Sequence, residues 1–281
     1  MPQSVLSMSS GKRVRKLALL APSGSEVPKF FNQVYVNERR SNDLLAELQR
    51  LRGSVYLQDG AIEPSDLTDG RHKLDIDQES WHLVVLDEND GVCGCVRYRQ
   101  FVHGSGFSQL AVSNSALARC DVWGPRLHDA VEAELALSRR LKLPYVEVGG
   151  WALGEQIRRT TEAFRMVISM FGLSQVLGGA VGISTVTHRN CSASILRRIG
   201  GRPLENASLE LPAYYDPRYK CEMEILRFWS WAPNMRFRVS IDEIKAELRD
   251  ILVFARGATV RPWLNSPYSG LSSSHELCNA V

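Results

Sequence analysis

The sequence predicts a mixed α/β fold, with one mostly antiparallel central sheet of about seven strands and helices on both of its faces. Apolar runs of strand length alternate with stretches in which apolar residues recur every three or four positions. Two of the runs are joined by the short turn Asp90-Gly91, which is typical of a hairpin. The other runs are separated by helices long enough to cross over a sheet, and the combination of hairpin and crossovers indicates a mixed sheet.

The first half of the chain is predicted to contain a strand, a helix and the hairpin. The strand lies at 33–37, and Ser41-Asn42-Asp43 is a helix start signal. The apolar residues of this helix recur at helical spacing and are Leu44, Leu45, Leu48, Leu51 and Val55. A polar loop over 58–80 then leads to the hairpin strands Trp81–Leu86 and Val92–Phe101.

The second half alternates helices and strands. A helix starts at Pro125 and stops before Pro144, and the strand Tyr145–Leu153 follows it. The next helix carries Phe164, Val167, Ile168 and Phe171 on one face and ends at Gly178-Gly179. Strands are predicted at 180–187 and 223–229, with a helix capped by Asn190 after the first and a Ser240/Glu243 capping box after the second.

We expect a single domain over 28–256, flanked by a flexible arm over 1–27 and a flexible tail over 257–281. Both ends are rich in Ser, Gly and Pro and lack sustained periodicity. A chain of 281 residues can hold one large domain or two small ones. Hydrophobic residues make up 44% and charged residues 23%, a balance typical of a folded globular domain.

Charge and cysteine usage narrow the functional classes. The 34 basic and 31 acidic side chains are too evenly matched to indicate a nucleic-acid partner. The six cysteines lack paired CxxC spacing, so neither a metal site nor a disulfide framework is expected. We expect these cysteines to lie in a reducing compartment. No apolar run approaches the roughly 18 residues of a membrane span. We therefore expect a cytoplasmic protein.

Two segments resemble acyltransferases of the GNAT superfamily. One is 146–153, Val-Glu-Val-Gly-Gly-Trp-Ala-Leu, followed by 158–163, Arg-Arg-Thr-Thr-Glu-Ala; the other is 185–190, Thr-Val-Thr-His-Arg-Asn. In that superfamily the matching strands splay apart, and the pantetheine arm of a thioester donor lies between them. The resemblance implies a GNAT-like sheet with a splayed central strand pair.

The same resemblance implies where the acyl donor binds. The implied donor-binding residues are Gly149, Gly150, Trp151, Leu153, Arg158, Arg159, Thr160, Thr161 and Asn190. Unpaired backbone N–H groups at a helix start suit a phosphate or pyrophosphate. Arg158 and Arg159 stand at such a start, where cations are unfavourable, so they either indicate a bound anion or are simply two solvated arginines.

A narrower similarity links short segments to the acyl-homoserine-lactone autoinducer synthases and the long-chain N-acyl amino acid synthases. The segments contain Asp75 and Asp77, Gly94-Cys95-Val96-Arg97, and Val146-Glu147-Val148. Such enzymes move a fatty acyl group from the phosphopantetheine of acyl carrier protein, or from coenzyme A, to an amine, with no permanently bound cofactor. Two positions depart from the pattern. Gly149-Gly150 stands where the autoinducer synthases have Ser-Arg, and Arg197 stands where many GNAT enzymes have a tyrosine general acid.

Glu147 is the candidate catalytic residue. Its apolar strand neighbours predict a buried carboxylate with a raised pKa, which could deprotonate an attacking amine. Alternatively, Glu147 is a structural carboxylate paired with a buried arginine such as Arg97. Arg97 and Asp75 are the candidate acceptor-binding residues. Arg97 could hold an acceptor carboxylate through two hydrogen bonds, or it could pair with Asp75 or Asp77 instead.

The residues and the resemblance together predict an N-acyltransferase. It would transfer an acyl group from an acyl carrier protein or coenzyme A thioester to the amine of an amino acid or a similar small acceptor. Two alternatives stay open, an acetyl-CoA-dependent N-acetyltransferase and a catalytically silent acyl- or CoA-binding module.

Overall fold

The computed structural model describes residues 15–101 and 104–257, and it has the predicted mixed α/β fold. The strands are β1 (Lys16–Leu20), β2 (Gln33–Val36), β3 (Trp81–Leu86), β4 (Val92–Phe101), β5 (Tyr145–Leu153), β6 (Val181–Thr187), β7 (Arg202–Pro203), β8 (Glu205–Asn206), β9 (Leu209–Glu210), β10 (Tyr214–Asp216), β11 (Cys221–Trp229) and β12 (Leu252–Ala255). The helices are α1 (Glu38–Gln58), α2 (Trp123–Leu141), α3 (Glu162–Val176), α4 (Ser192–Ile199) and α5 (Arg238–Arg249).

Ten of the described strands form one sheet, where about seven were expected. The order across the sheet is β10-β11-β6-β5-β4-β3-β1-β12-β2, with β7 added beside β11, while β8 and β9 pair only with each other. Most pairs are antiparallel, and the parallel ones are β5 with β6, β1 with β12 and β12 with β2. Strands of only two to five residues, such as β7 and β1, account for the larger number.

The sheet is covered by helices on both faces. α3 and α5 pack on one face, where Met166, Phe171 and Ile244 belong to the largest apolar cluster. α1 and α2 pack on the other face, over two smaller clusters that include Leu48 and Leu127. Because a central strand is enclosed from both sides, all six residues of β3 are buried.

The expectation of a flexible arm over 1–27 is wrong for residues 15–27. β1 lies in the interior of the sheet, antiparallel to β3 and parallel to β12, and Leu17, Leu19 and Leu20 are buried. A five-residue apolar run beside basic and Ser/Gly-rich sequence carried too weak a periodicity to reveal this strand. Residues 1–14, and the expected tail from 258 onward, lie outside the described residues.

The starts of α1, α4 and α5 also differ from the sequence expectation. α5 begins at Arg238, after Phe237, and not at the predicted Ser240/Glu243 capping box. Asn37 caps α1 by accepting the backbone N–H of Arg40 at 2.8 Å, so the helix begins before the Ser41 signal. The residue before α4 is Cys191, which has a positive φ of 58°, and Asn190 is not the cap. Within the described residues, no helix is long and apolar enough to cross a bilayer.

Candidate active site at the splayed strands β5 and β6

The two central parallel strands diverge at their carboxyl ends. β5 and β6 are paired from Tyr145 opposite Val181 as far as Val148 opposite Ser184, and no further. Beyond that point β5 continues on β4 as far as Leu153, and β6 continues on β11. The hydroxyl of Ser184 donates to the carbonyl of Val148 at 2.9 Å, at the last pair before the gap. The predicted splay is therefore present.

A glycine pair permits the divergence. The register between β4 and β5 shifts between Cys95 and Arg97, which is a bulge opposite Gly149-Gly150. Gly150 has a φ of +63°, a conformation that is unfavourable for a residue with a side chain. A Cβ at Gly150 would also lie only 3.3 Å from the Cβ of Arg97. Glycine is thus required where β5 turns away from β6.

A buried charge cluster lies beside this bulge, on the face covered by α1. The Arg52 guanidinium donates to both carboxylate oxygens of Asp77, at 2.9 and 2.6 Å, and Gln49 donates to the same carboxylate at 2.9 Å. Burial alone would raise the pKa of Asp77, but the hydrogen bonds and charge of Arg52 outweigh it and lower the pKa to about 2. Asp77 is therefore ionised at neutral pH.

Arg97 is a second cation in the same cluster. It is 6% exposed, and its Nη1 lies 3.7 Å from Asp77 Oδ1, which is beyond hydrogen-bond distance. Its Nε and Nη1 atoms have no hydrogen-bond partner among the described residues. Burial, together with the charge of Arg52, lowers the pKa of Arg97. Nearby His82 is neutral, because burial lowers its pKa to about 4.

The cluster holds two guanidinium groups against the Asp77 carboxylate, and the buried Glu147 carboxylate is a second anion within electrostatic range of Arg97. Buried N–H groups without hydrogen-bond partners, such as Nε and Nη1 of Arg97, are costly unless a further acceptor is supplied. Arg97 also faces the bulge, since a Cβ at Gly149 would lie 3.6 Å from Arg97 Nη2. The arrangement is suited to an anionic group of a ligand bound next to the splay.

Glu147 is buried, as predicted, but its partners differ from the expected ones. Its two carboxylate oxygens accept the backbone N–H groups of Ala111 and Val112, each at 2.9 Å. Burial raises the pKa of Glu147, although these two hydrogen bonds and the charge of Arg97 oppose the rise. Glu147 therefore anchors the segment before α2 and also remains a carboxylate able to accept a proton.

The implied donor residues fall into two groups. Gly149, Gly150, Trp151 and Leu153 form the divergent end of β5, and the indole Nε1 of Trp151 is buried without a hydrogen-bond partner in the described part of the chain. The second group flanks the gap and meets at Asp59, which follows α1. Arg158 Nη2 lies 3.7 Å from Asp59 Oδ1, and Asn190 donates to Asp59 Oδ2 at 3.0 Å.

The turn before α3 holds the remaining implied donor residues. Arg159 has a φ of +60°, a left-handed conformation that favours glycine. Thr161 is the residue that precedes α3, and the hydroxyl of Thr160 accepts the backbone N–H of Glu162 at 3.2 Å. The side-chain hydroxyl therefore already occupies one of the N–H groups at this helix start.

Asp75 is not part of the Arg97 cluster. It is exposed and lines a separate groove of about 490 Å³ between α1 and the segment 71–78. Asp77, two residues along the same short helical turn, is the carboxylate that reaches the arginines. Asp75 and Arg97 are therefore not brought together, and the acceptor-binding role expected of Asp75 stays a prediction.

Several side chains of the cluster were not predicted from the sequence, among them Arg52, Tyr56 and Tyr219. Arg52 and Tyr56 come from α1, and Tyr219 comes from the turn between β10 and β11. The rings of Tyr56 and Tyr219 meet edge to face with their centroids 6.3 Å apart. Arg52 could have been identified from the sequence, because it is a charged residue four positions after Leu48, on the apolar face of a helix. No comparable sequence pattern indicates Tyr219.

Comparisons with known proteins bear on the fold. Neither protein-family models nor curated protein sequences match the chain. Among solved structures, BjaI, a CoA-dependent acyl-homoserine lactone synthase solved with SAM and isopentyl-CoA, is 14% identical with a TM-score of 0.52, over 88% of this chain and 95% of BjaI. BjaI solved with MTA matches equally. FeeM, an N-acyl amino acid synthase from uncultured soil microbes, is 10% identical with a TM-score of 0.47, over 78% of this chain and 92% of FeeM. The chain has the GNAT-type fold that its two sequence segments predicted.

Proposed function

We propose that this protein is an N-acyltransferase, which moves an acyl group from a thioester to the amine of an amino acid or a similar small acceptor. The observation that carries the proposal is the gap that opens between β5 and β6 after Val148 and Ser184. Residues 149–153 are paired with β4 on one side, so their other edge faces the gap. Backbone groups on a free strand edge can hydrogen-bond an extended ligand as an added strand, which suits the amide-containing arm of pantetheine.

The donor would be an acyl carrier protein or coenzyme A thioester. The loops that flank the gap supply Arg158, Arg159 and Asn190, and the start of α3 supplies backbone N–H groups. Cations and helix N-termini both favour phosphate. BjaI is described as CoA-dependent, which is consistent with a thioester donor on this fold. The donor would bind for each turnover, with no permanently bound cofactor.

The acceptor would carry a carboxylate that binds Arg97. The Nε atom of this buried guanidinium has no partner among the described residues, and its N–H lies side by side with those of Nη2, a pair of donors in a fixed geometry that a carboxylate accepts. A carboxylate would thus supply an acceptor for the buried N–H group of Nε. An α-amino acid held in this way would present its amine toward the glycine bulge.

In the reaction, the amine adds to the thioester carbonyl and forms the C–N bond, and the C–S bond then breaks, so that the pantetheine sulfur leaves as a thiol or thiolate. Backbone N–H groups near Gly149–Trp151 would polarise the carbonyl oxygen. Glu147 would take the proton of the attacking amine, directly or through water, because its raised pKa gives it the basicity for this role.

The test is an incubation of the protein with amino acids and with acetyl, medium-chain and long-chain thioesters of coenzyme A and of acyl carrier protein. We expect amide products by mass spectrometry and loss of turnover in Glu147→Gln. The exposed Tyr215 offers a control, since Tyr215→Phe should be as active as the wild type. If acetyl-CoA is the only thioester that gives an amide, the result would indicate an N-acetyltransferase. Thioester binding with no amide from any pair would indicate a silent binding module and contradict the proposal.

A further inference from the structure

Asp59, the residue that follows α1, lies across the mouth of the gap between β5 and β6. Arg158 stands on the β5 side, where its Nε donates to the carbonyl of Leu153, the last residue of that strand, at 3.1 Å. Asn190 stands on the β6 side, shortly after that strand ends at Thr187. Asp59 Oδ1 lies 3.7 Å from Arg158 Nη2, and Asp59 Oδ2 accepts Asn190 Nδ2 at 3.0 Å. One carboxylate therefore bridges the two sides of the mouth.

The backbone of Asp59 is held in place independently of this bridge. Its N–H donates to the carbonyls of Leu57 and Val55 at the end of α1. Its own carbonyl accepts Nη1 of Arg189, from the loop after β6. The Asp59 side chain is 21% exposed, so it has access to water. The bridge can therefore open by rotation of this side chain while the end of α1 stays attached to the loop after β6.

The end of a helix is an unfavourable place for the charge of Asp59. The last carbonyls of α1 form the negative end of the helix dipole, which favours a cation and disfavours an anion. The last turn of α1 contains no basic residue that would compensate for it. Such a conflict with a local rule is typical of a functional position. The helix thus gives no reason for a carboxylate here, whereas the contacts with Arg158 and Asn190 do.

Arg158 and Asn190 are also two of the side chains that would bind the donor phosphate. A phosphate oxygen and the Asp59 carboxylate would accept the same N–H groups, so the two anions would compete. Resting on the proposed acyl transfer, we infer that Asp59 occupies the place of the donor phosphate and selects among donors by their charge. A donor binds by displacing the carboxylate, whose negative charge then repels the phosphate beside it. Because the repulsion grows with phosphate charge, Asp59 disfavours free coenzyme A relative to the single phosphodiester of acyl carrier protein.

Direct binding measures this selection without any turnover. The probes are coenzyme A, 4′-phosphopantetheine and pantetheine, which share the same arm and carry decreasing phosphate charge. Asp59→Asn keeps the size of the side chain and removes its charge. By isothermal titration calorimetry, this variant should lower Kd about 10-fold for coenzyme A, about threefold for 4′-phosphopantetheine and less than about 1.5-fold for pantetheine. Asp59→Ala should give the same order of effects.

Glu155→Gln is the matched control for a change of net charge. Glu155 lies on the same loop as Arg158, but its carboxylate accepts Nε2 of Gln58 at 2.9 Å. Its removal should leave all three Kd values within about twofold of the wild type. A gain in Glu155→Gln as large as that in Asp59→Asn would overturn the inference, because it would reflect the overall charge of the mouth.

Two results with Asp59→Asn itself would also overturn the inference. Equal gains for coenzyme A and pantetheine would show that Asp59 acts through the shape of the gap and not through charge. An unchanged Kd for coenzyme A, or no binding of any probe by either protein, would show that Asp59 does not compete with a phosphate. Graded gains in a protein that forms no amide would support the inference and overturn only the acyl transfer, so the two failures are distinguishable.

Discussion

Arg97 places a buried positive charge where the fold itself does not need one. Arg52 already neutralises Asp77 through two hydrogen bonds, and the Nε and Nη1 atoms of Arg97 make none, so only the charges of Asp77 and Glu147 offset the desolvation cost of Arg97. We expect Arg97→Met to raise the free energy of unfolding by about 1–4 kcal/mol while abolishing amide formation. Urea unfolding checks the first effect and the amino acid assay the second.

Arg52 provides the contrast for this substitution. Arg52→Met removes the partner of a buried carboxylate and should lower the free energy of unfolding by about 3–5 kcal/mol. If Arg97→Met is destabilised as strongly as Arg52→Met, then Arg97 is a structural partner of Asp77, and the acceptor role proposed for it is wrong.

Asp77 makes a prediction about acid stability. Its pKa is lowered in the folded state, so its contribution to stability is complete above the usual aspartate pKa of 3.8 and is lost as the pH falls through about 2. The loss should amount to roughly 2 kcal/mol of the free energy of unfolding. Urea unfolding between pH 5 and pH 2 measures it. Arg52→Lys keeps the charge but not both hydrogen bonds, so it should move the loss to higher pH, and identical curves for the two proteins would contradict this.

At the scale of elements, the bulge beside Gly149-Gly150 depends on the backbone conformation of Gly150. Gly150→Ala should lower the free energy of unfolding by about 1–2 kcal/mol, because its φ of +63° is strained for any residue with a Cβ. Gly149→Ala is the matched control, since its Cβ would meet only Arg97 Nη2 at an ordinary 3.6 Å. Equal stability of the two variants, measured by urea unfolding, would show that the splay does not depend on the backbone of Gly150.

At the scale of the whole molecule, the sequence predicted the local features and missed those assembled from distant segments. The hairpin of β3 and β4 and the bounds of β5 were predictable, because long apolar runs and turn residues identify them. The buried charge cluster around Asp77 was not predictable, because Arg52, Asp77 and Arg97 come from three different elements and only folding brings them together. Short strands such as β1 and β12 were missed because four or five apolar residues fit a buried helix segment equally well.

β1 gives the last prediction, because an arm and an interior strand respond oppositely to truncation. Removing residues 1–27 takes out the strand between β3 and β12 together with Leu17, Leu19 and Leu20, each of which is at most 4% exposed. Loss of a buried leucine costs about 2–5 kcal/mol. The summed cost of losing all three is therefore comparable to the whole free energy of unfolding of a typical domain. Thermal unfolding followed by circular dichroism should show no cooperative transition in this variant. Removing residues 1–14 deletes none of the described strands and should preserve the transition of the full chain. A truncation at 27 that unfolds at the temperature of the full chain would mean that the sheet does not depend on β1.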